Sequence, residues 1–263
     1  MNSKYTKFLL TAALLPAVSA FGGVFVLTDD ACPTAKGDTE IHLEYDGSWT
    51  THYGKTLASD IGVEVAYGLT ESLEVDFSLD FGWDYNSNHA SHVNFNGLSL
   101  GFKNQVLDPE SNDAPFGVAL IGGFSWAWAN TDHSAARDFA FELGVNFQKN
   151  LMDGDLILAF TPNVQFGTAY NYEWDGYDDS IVYELAGGAS YAIGGGFRIG
   201  VEAVYDFVYT DRYDDNAFYL GPNVCFETDS WWVTACVAPR WFSRDSDTND
   251  HDLNIRIEIG CTF

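Results

Sequence analysis

The sequence predicts an all-β chain, a membrane-spanning antiparallel up-and-down β-barrel of about twelve strands. Three observations carry that expectation. From residue 39 onward, segments alternating apolar and polar recur to the end of the chain, the period of a strand with one greasy and one wet face. The last of them, Leu253 to Phe263, alternates without a break: Leu253, Ile255, Ile257, Ile259, Cys261 and Phe263 share one face, and Asn254, Arg256, Glu258, Gly260 and Thr262 share the other. Aromatic residues make up 16% of the chain and glycines number 25, which suits interfacial rings and a crowded, curved wall.

The N-terminus comes first. Lys4 and Lys7 form a basic region, Phe8 to Val18 an apolar one, and Val18-Ser19-Ala20 a small-residue cleavage site. Residues 1–20 are therefore expected to be a secretory signal peptide, with the mature chain starting at Phe21. Residues 21–38 are read as a periplasmic N-terminal segment and 39–263 as the barrel. No later segment offers ~20 consecutive apolar residues for a helical span.

The strands follow in order. The first, about Thr39 to Trp49, turns Ile41, Leu43, Tyr45 and Trp49 outward and Glu40, His42, Glu44 and Asp46 inward. The second runs from Asp60 to Leu69. Across the turn Thr70-Glu71-Ser72, the third alternates from Leu73 to Tyr85. The fourth spans Val93 to Val106, the fifth Phe116 to Trp128, and the sixth Phe139 to Phe147. The seventh runs from Leu156 to Tyr172, and the eighth, Ile181 to Ile193, ends at the glycine turn 194–196. The ninth runs from Phe197 to Tyr209, the tenth from Phe218 to Phe226, the eleventh from Trp231 to Trp241, and the twelfth ends the chain. Pro162, Pro222 and Pro239 fall inside strands and lack a ladder donor.

An even strand count brings both chain ends to one side, expected to be the periplasm. The turns at 70–72, 194–196 and 228–230 then lie there, with 107–114 a longer exception. The connections near 50–58, 86–92, 130–136, 173–179, 210–216 and 243–250 face outside. Trp49, Tyr85, Trp128, Tyr172, Tyr209 and Trp241 have outward parity and each precedes an outer loop, the placement of an aromatic girdle.

A chain ending on a strand such as 253–263, with a terminal aromatic, resembles the assembly signal of bacterial outer-membrane β-barrels. That resemblance implies a cell outer membrane in a Gram-negative bacterium. It also implies a lipid bilayer and lipopolysaccharide as surroundings, and assembly machinery that reads the C-terminal strand. The hairpin Tyr67-Gly-Leu-Thr-Glu-Ser-Leu-Glu-Val75 and the segment Gly97 to Asp108 resemble the transporter-like outer-membrane family associated with the meta-pathway of phenol degradation. The family implies an uptake channel and carries no catalytic residues over.

The net charge of −26 argues against nucleic acid or anionic lipid as a partner. Parity sends many acids inward: Glu40, Glu44, Glu64, Glu74, Asp76, Asp80, Asp84, Glu142, Glu184, Glu202 and Asp206 form an acidic lumen wall, joined by Asp46, Asp138, Glu227 and Glu258. Inward bases are Lys103, Arg198, Arg240 and Arg256. A wall so biased attracts cations. The reading is a porin-like channel for passive passage of small solutes, favouring cations. The alternative is a non-conducting structural or adhesive barrel acting through its acidic outer loops.

Those loops hold Asp175, Asp178 and Asp179, then Asp211, Asp214 and Asp215, then Asp245, Asp247, Asn249, Asp250 and Asp252. No cofactor is expected, but oxygen ligands at Asp245, Asp247, Asn249 and Asp250 make the last loop a candidate site for a divalent cation. It lacks the glycine and glutamate of a complete calcium loop. His52, His89, His92, His133 and His251 map to outer loops, with only His89-x-x-His92 at a metal-ligand spacing. A lipid-modifying enzyme would need a Ser–His pair at the outer rim. Ser91-His92 and His133-Ser134 are adjacent in sequence, which on an extended chain points the side chains apart, so no enzyme is expected. Four cysteines in an oxidising compartment suggest disulfides, with Cys225–Cys236 and Cys32–Cys261 as candidate pairs among three connectivities.

Overall fold

A computed structural model describes residues 23–50, 56–86, 89–109, 115–127, 138–171, 176–210, 214–243 and 253–263. Twelve strands form one closed barrel: β1 (Thr39–Thr50), β2 (Thr56–Gly68), β3 (Leu73–Asn86), β4 (His89–Leu107), β5 (Gly117–Ala127), β6 (Asp138–Leu151), β7 (Leu156–Asn171), β8 (Gly176–Gly194), β9 (Phe197–Thr210), β10 (Asp214–Glu227), β11 (Trp231–Ser243) and β12 (Leu253–Thr262). Each pairs antiparallel with its neighbours in sequence, and β1 pairs with β12 to close the wall. Phe263 completes the seam by exchanging backbone hydrogen bonds with Thr39 at 2.9 and 3.1 Å. A closed wall leaves no unpaired sheet edge, the condition for crossing lipid with strands.

Parity holds around the barrel. Outward side chains such as Leu100, Phe141, Ile199 and Trp241 are exposed, while inward Glu202, Asn146, Thr161 and Thr234 are buried. The apolar groups therefore face out and the polar groups in. The outer surface is stitched by cross-strand ring pairs, Trp126 on Phe139 at 5.9 Å and Phe197 on Phe226 at 4.6 Å among them. Of the expected girdle, Trp49, Tyr209 and Trp241 are exposed on the outer face. Tyr85 lies in β3, and Trp128 and Tyr172 fall outside the described residues.

The ladder accommodates the prolines. It runs to Gly144↔Asn163 and resumes at Phe147↔Phe160, so Pro162 sits in the gap. It breaks likewise between Tyr219↔Arg240 and Asn223↔Cys236, where Pro222 and Pro239 lie. The strands also climb further than the sequence suggests. Asp178 and Asp179 belong to β8, and Asp214 and Asp215 to β10, because pairs such as Thr168↔Asp179 and Asp214↔Tyr209 extend the sheet into the expected loops.

The turns at the end carrying both chain termini are tight for visible reasons. In Thr70-Glu71-Ser72 and Thr228-Asp229-Ser230, the threonine Oγ1 accepts the N–H groups two and three residues on. Gly194, Gly195 and Gly196 all have φ between 66° and 95°, which only glycine adopts cheaply.

Within the expected periplasmic segment 21–38, residues 23–35 lie elsewhere. The described part, from Gly23 to about Ala35, is not a segment outside the wall. It runs inside the barrel, and the apolar run Val24–Leu27 packs into two buried apolar clusters with the wall. Val24 and Phe25 pack on Ile157 and Ala159, and Leu27 packs on Ala186, Val204, Cys236 and Ala238. A short run that is apolar without alternation can neither join a sheet with one wet face nor stay in water cheaply, and the lumen buries it.

Candidate functional site

The site is the lumen together with this strap, residues 23–35. Inward polar residues of six strands hold the strap by its backbone. Asn223 Nδ2 donates to Val24 O at 3.2 Å, and Thr234 Oγ1 donates to Gly23 O. The Glu202 carboxylate accepts the N–H groups of Val26, Leu27 and Thr28, with Leu27 at 2.6 Å. Thr161 Oγ1 donates to Asp29 O at 3.3 Å, and Asn146 Nδ2 to Asp30 O at 2.7 Å. Gln148 Oε1 accepts Ala31 N–H at 2.9 Å, and Glu74 accepts both N–H and Oγ1–H of Thr34. Backbone groups taken from water need such partners, and the wall supplies them.

The strap's own acids meet the wall's lysine. Lys103 Nζ lies 2.9 Å from Asp29 and 3.7 Å from Asp30. At the rim the strap leaves through Lys36, whose Nζ is 2.7 Å from Glu71; that hydrogen bond holds the ammonium above its ordinary range. The pair is exposed and contributes little.

Beyond the strap the lumen is acidic. A cavity of about 570 Å³ opens between strap and wall, lined by Asp29, Glu44, Glu64, Asp76, Glu142 and Glu184 among others. Two wall bases also line it, and both are engaged: Lys103 with Asp29, and Arg256, whose Nε donates to Asp46 Oδ2 at 2.6 Å and which also reaches Val26 O. His42 sits at the β1–β12 seam, with Nδ1 3.0 Å from Glu258 and Nε2 3.2 Å from Glu40. Its ring stands edge-on to Trp232 at 5.2 Å. The lining carries an excess of carboxylates, an arrangement that can bind positive charge.

Residues 19–242 match the model of a family of unknown function, DUF6662. The chain belongs to this family. No curated protein matches the sequence. Among solved structures, the COG4313 outer membrane channel from Pseudomonas putida F1 is similar at a TM-score of 0.73 and 11% identity, covering 89% of this chain and 98% of that one. The NanC porin is similar at 0.52 and 12% identity, covering 86% and 98%. The beta domain of the Bordetella autotransporter BrkA reaches 0.54 at 12% identity, covering 88% and 100%. At such identities the likeness is one of fold. Fold and apolar outer face together place this DUF6662 member in the outer membrane.

The predicted acidic wall divides in the structure. Glu74 and Glu202 are committed to the strap, Glu40 to His42 and Thr262, and Glu184 to Asn163 at 3.0 Å. Glu44, Glu64, Asp76, Glu142 and Glu184 line the cavity. Asp80 reaches Ser78, and Asp206 lies on β9 opposite Glu184. Asp84 lies in β3, its side chain outside the described structure. Of the bases, Arg198 is no cavity residue. It ties the 152–155 turn to the rim by donating to Gly154 O and Asp155 O. Arg240 occupies an inward position of β11 opposite Tyr219.

The cysteine pairs are corrected: the four thiols form no disulfide. Cys225 faces Thr234 and Cys236 faces Asn223, so the two thiols are out of register by two residues. Cys32 rides the strap in the lumen, whereas Cys261 has the outward parity of its partner Ile41, so the wall separates them. Asp245, Asp247, Asn249, Asp250 and Asp252 lie outside the described residues, as do His52, His133, Ser134 and His251. His89, Ser91 and His92 belong to β4, their side chains also outside. Among the described residues no cluster of three metal-ligating side chains occurs.

The strap is what the sequence reading missed. Two signals mark it: the apolar run Val24-Phe25-Val26-Leu27, and the neutral hydrogen-bonding residues Asn146, Gln148, Thr161, Asn223 and Thr234 at inward positions.

Proposed function

We propose that the protein is a narrow outer-membrane channel of a Gram-negative bacterium, passing small solutes passively and favouring cations. The observation that carries this reading is the cavity of about 570 Å³, whose lining carboxylates outnumber its bases, each base already paired. The strap narrows the lumen from the end that carries the chain termini. The resemblance of the 67–75 hairpin to a family of presumed uptake channels supports a transport role, and the solved channel of similar fold is consistent with it. No catalytic role is read into the barrel. Lipopolysaccharide and loop-bound divalent cations would be neighbours of the outer rim, and the β12 strand the feature read by assembly machinery.

The test is single-channel conductance of the refolded, signal-free protein in planar bilayers under a salt gradient. The expected result is steady openings of small conductance with a cation-selective reversal potential. A reversal potential favouring chloride would overturn the selectivity. The seated strap favours a second reading, a closed barrel serving the envelope structurally; a folded barrel that stays silent, with and without the strap, would establish that reading instead.

A further inference from the structure

Three consecutive amides of the strap converge on one atom. Glu202 Oε2 accepts the N–H groups of Val26, Leu27 and Thr28 at 3.1, 2.6 and 3.2 Å. Successive N–H groups aimed at a common point form a concave anion site. Asn223 Nδ2 completes it, donating to Oε1 at 2.9 Å while holding Val24 O. Glu202 is fully buried, so its carboxylate has exchanged hydration for these donors. On either side the strap rests on apolar contacts, Phe25 against Ile157 and Ala159, and Leu27 against Ala186 and Val204. Those contacts have no direction. The carboxylate does, and it fixes the register of the strap against the wall.

We propose that Glu202 is the positioning residue of the strap: the amides of residues 26–28 with Asn223 form a receptor for a small carboxylate, and its occupancy decides whether the strap stays seated. The proposal rests on the channel reading for its functional consequence, since an unseated strap widens the passage. Its structural content stands apart. In a Glu202→Ala variant the receptor loses its ligand but keeps its donors, so formate or acetate can take the vacated place.

The protein carries its own reporters. Cys225 and Cys236 are each 1% exposed and are covered by the strap, Cys225 beneath Gly23 O and Cys236 against Leu27. With Cys32→Ser and Cys261→Ser as background, a hydrophilic maleimide reads strap position whether or not the barrel conducts. The background protein should label slowly. Glu202→Ala should label at least about tenfold faster, the consequence of losing several charge-assisted hydrogen bonds that gate local opening. Formate, against chloride at equal ionic strength, should restore protection in Glu202→Ala. Phe25→Ala is the control, because it removes the strap's apolar contact with Ile157 and Ala159 and leaves Glu202 and Asn223 in place. It should label fast and ignore formate. If Glu202→Ala does not fold, Glu202→Gln serves, with faster labelling than the background.

Protected thiols in Glu202→Ala, or in Glu202→Gln where it replaces that variant, would overturn the proposal. So would an equal formate response in Glu202→Ala and Phe25→Ala. Silence in bilayers with the labelling pattern intact would sink the channel reading and leave the receptor standing.

Discussion

The half of the lumen beside the chain ends and the half beyond Leu27 are made by the same strands with the same alternation, yet their inward residues differ in kind. Next to the strap on β6 to β11 most are amides, hydroxyls and small residues, Asn146, Gln148, Thr161, Gly188, Asn223 and Thr234, with the carboxylate of Glu202 taken up by strap N–H groups. Further along, Glu44, Glu64, Glu142 and Glu184 face open space. The difference teaches what each half is for. Neutral donors and acceptors satisfy a bound backbone without bringing in charge, whereas like carboxylates around a cavity repel one another and are tolerated only where water or a cation can enter. One half is a seat; the other is a passage.

Deleting residues 23–35 should break the comparison most completely. Conductance should rise by more than about twofold, because a twelve-stranded wall regains its full width. Paired bilayer recordings of deleted and intact protein would check this, and unchanged conductance would mean that the strap does not obstruct the path.

Lys103→Met should act next most strongly, and on the seat alone. It strands Asp29 and Asp30 beside Glu74, and because Asp29 keeps partial contact with the cavity the loss should lie between that of an exposed and a buried pair, about 2 kcal/mol. Hydrogen exchange at residues 29–32 should accelerate before exchange at 26–28, which Glu202 holds separately. Uniform acceleration would show the strap to be one cooperative unit.

Glu44→Gln combined with Glu64→Gln tests the passage alone. The ratio of cation to anion permeability should fall roughly twofold at low salt, and the difference should shrink toward molar salt as screening sets in. Reversal potentials across a salt series would measure it, with strap exchange rates unchanged.

How legible these features were depends on their range. Strand parity is local, so Glu202 and Asn146 could be placed inward from alternation alone, as could the apolar face of β12. Register is not local. Cys225 and Cys236 look like a pair across the 228–230 turn, but the ladder sets Cys225 opposite Thr234. Nor is the binding of residues 23–35, since Glu202 lies 176 positions from Val26, and no periodicity records contact at that separation. What the sequence does hold is the mismatch between Val24-Phe25-Val26-Leu27 and a segment meant for water. A run that breaks the binary pattern asks for a burial site, and inward amides and hydroxyls, together with Glu202 and Glu74, were the site.

The smallest expected effect belongs to Thr228→Val, which leaves seat and passage alike. Thr228 Oγ1 accepts from Ser230 and Trp231 N–H and lies 2.9 Å from Trp231 O. Valine keeps the shape and removes that acceptor at an exposed turn where water can partly replace it, so stability should fall by about 1 kcal/mol. Thr228→Ser should recover most of the loss, since the hydroxyl rather than the methyl is at stake. Heat-dependent loss of folded-barrel mobility on gels would rank the three proteins, while thiol protection at Cys225 stays as in the wild type. If Thr228→Val instead exposed Cys225, the turn would be part of the seat, and the boundary between the two halves would have to be moved down to the rim.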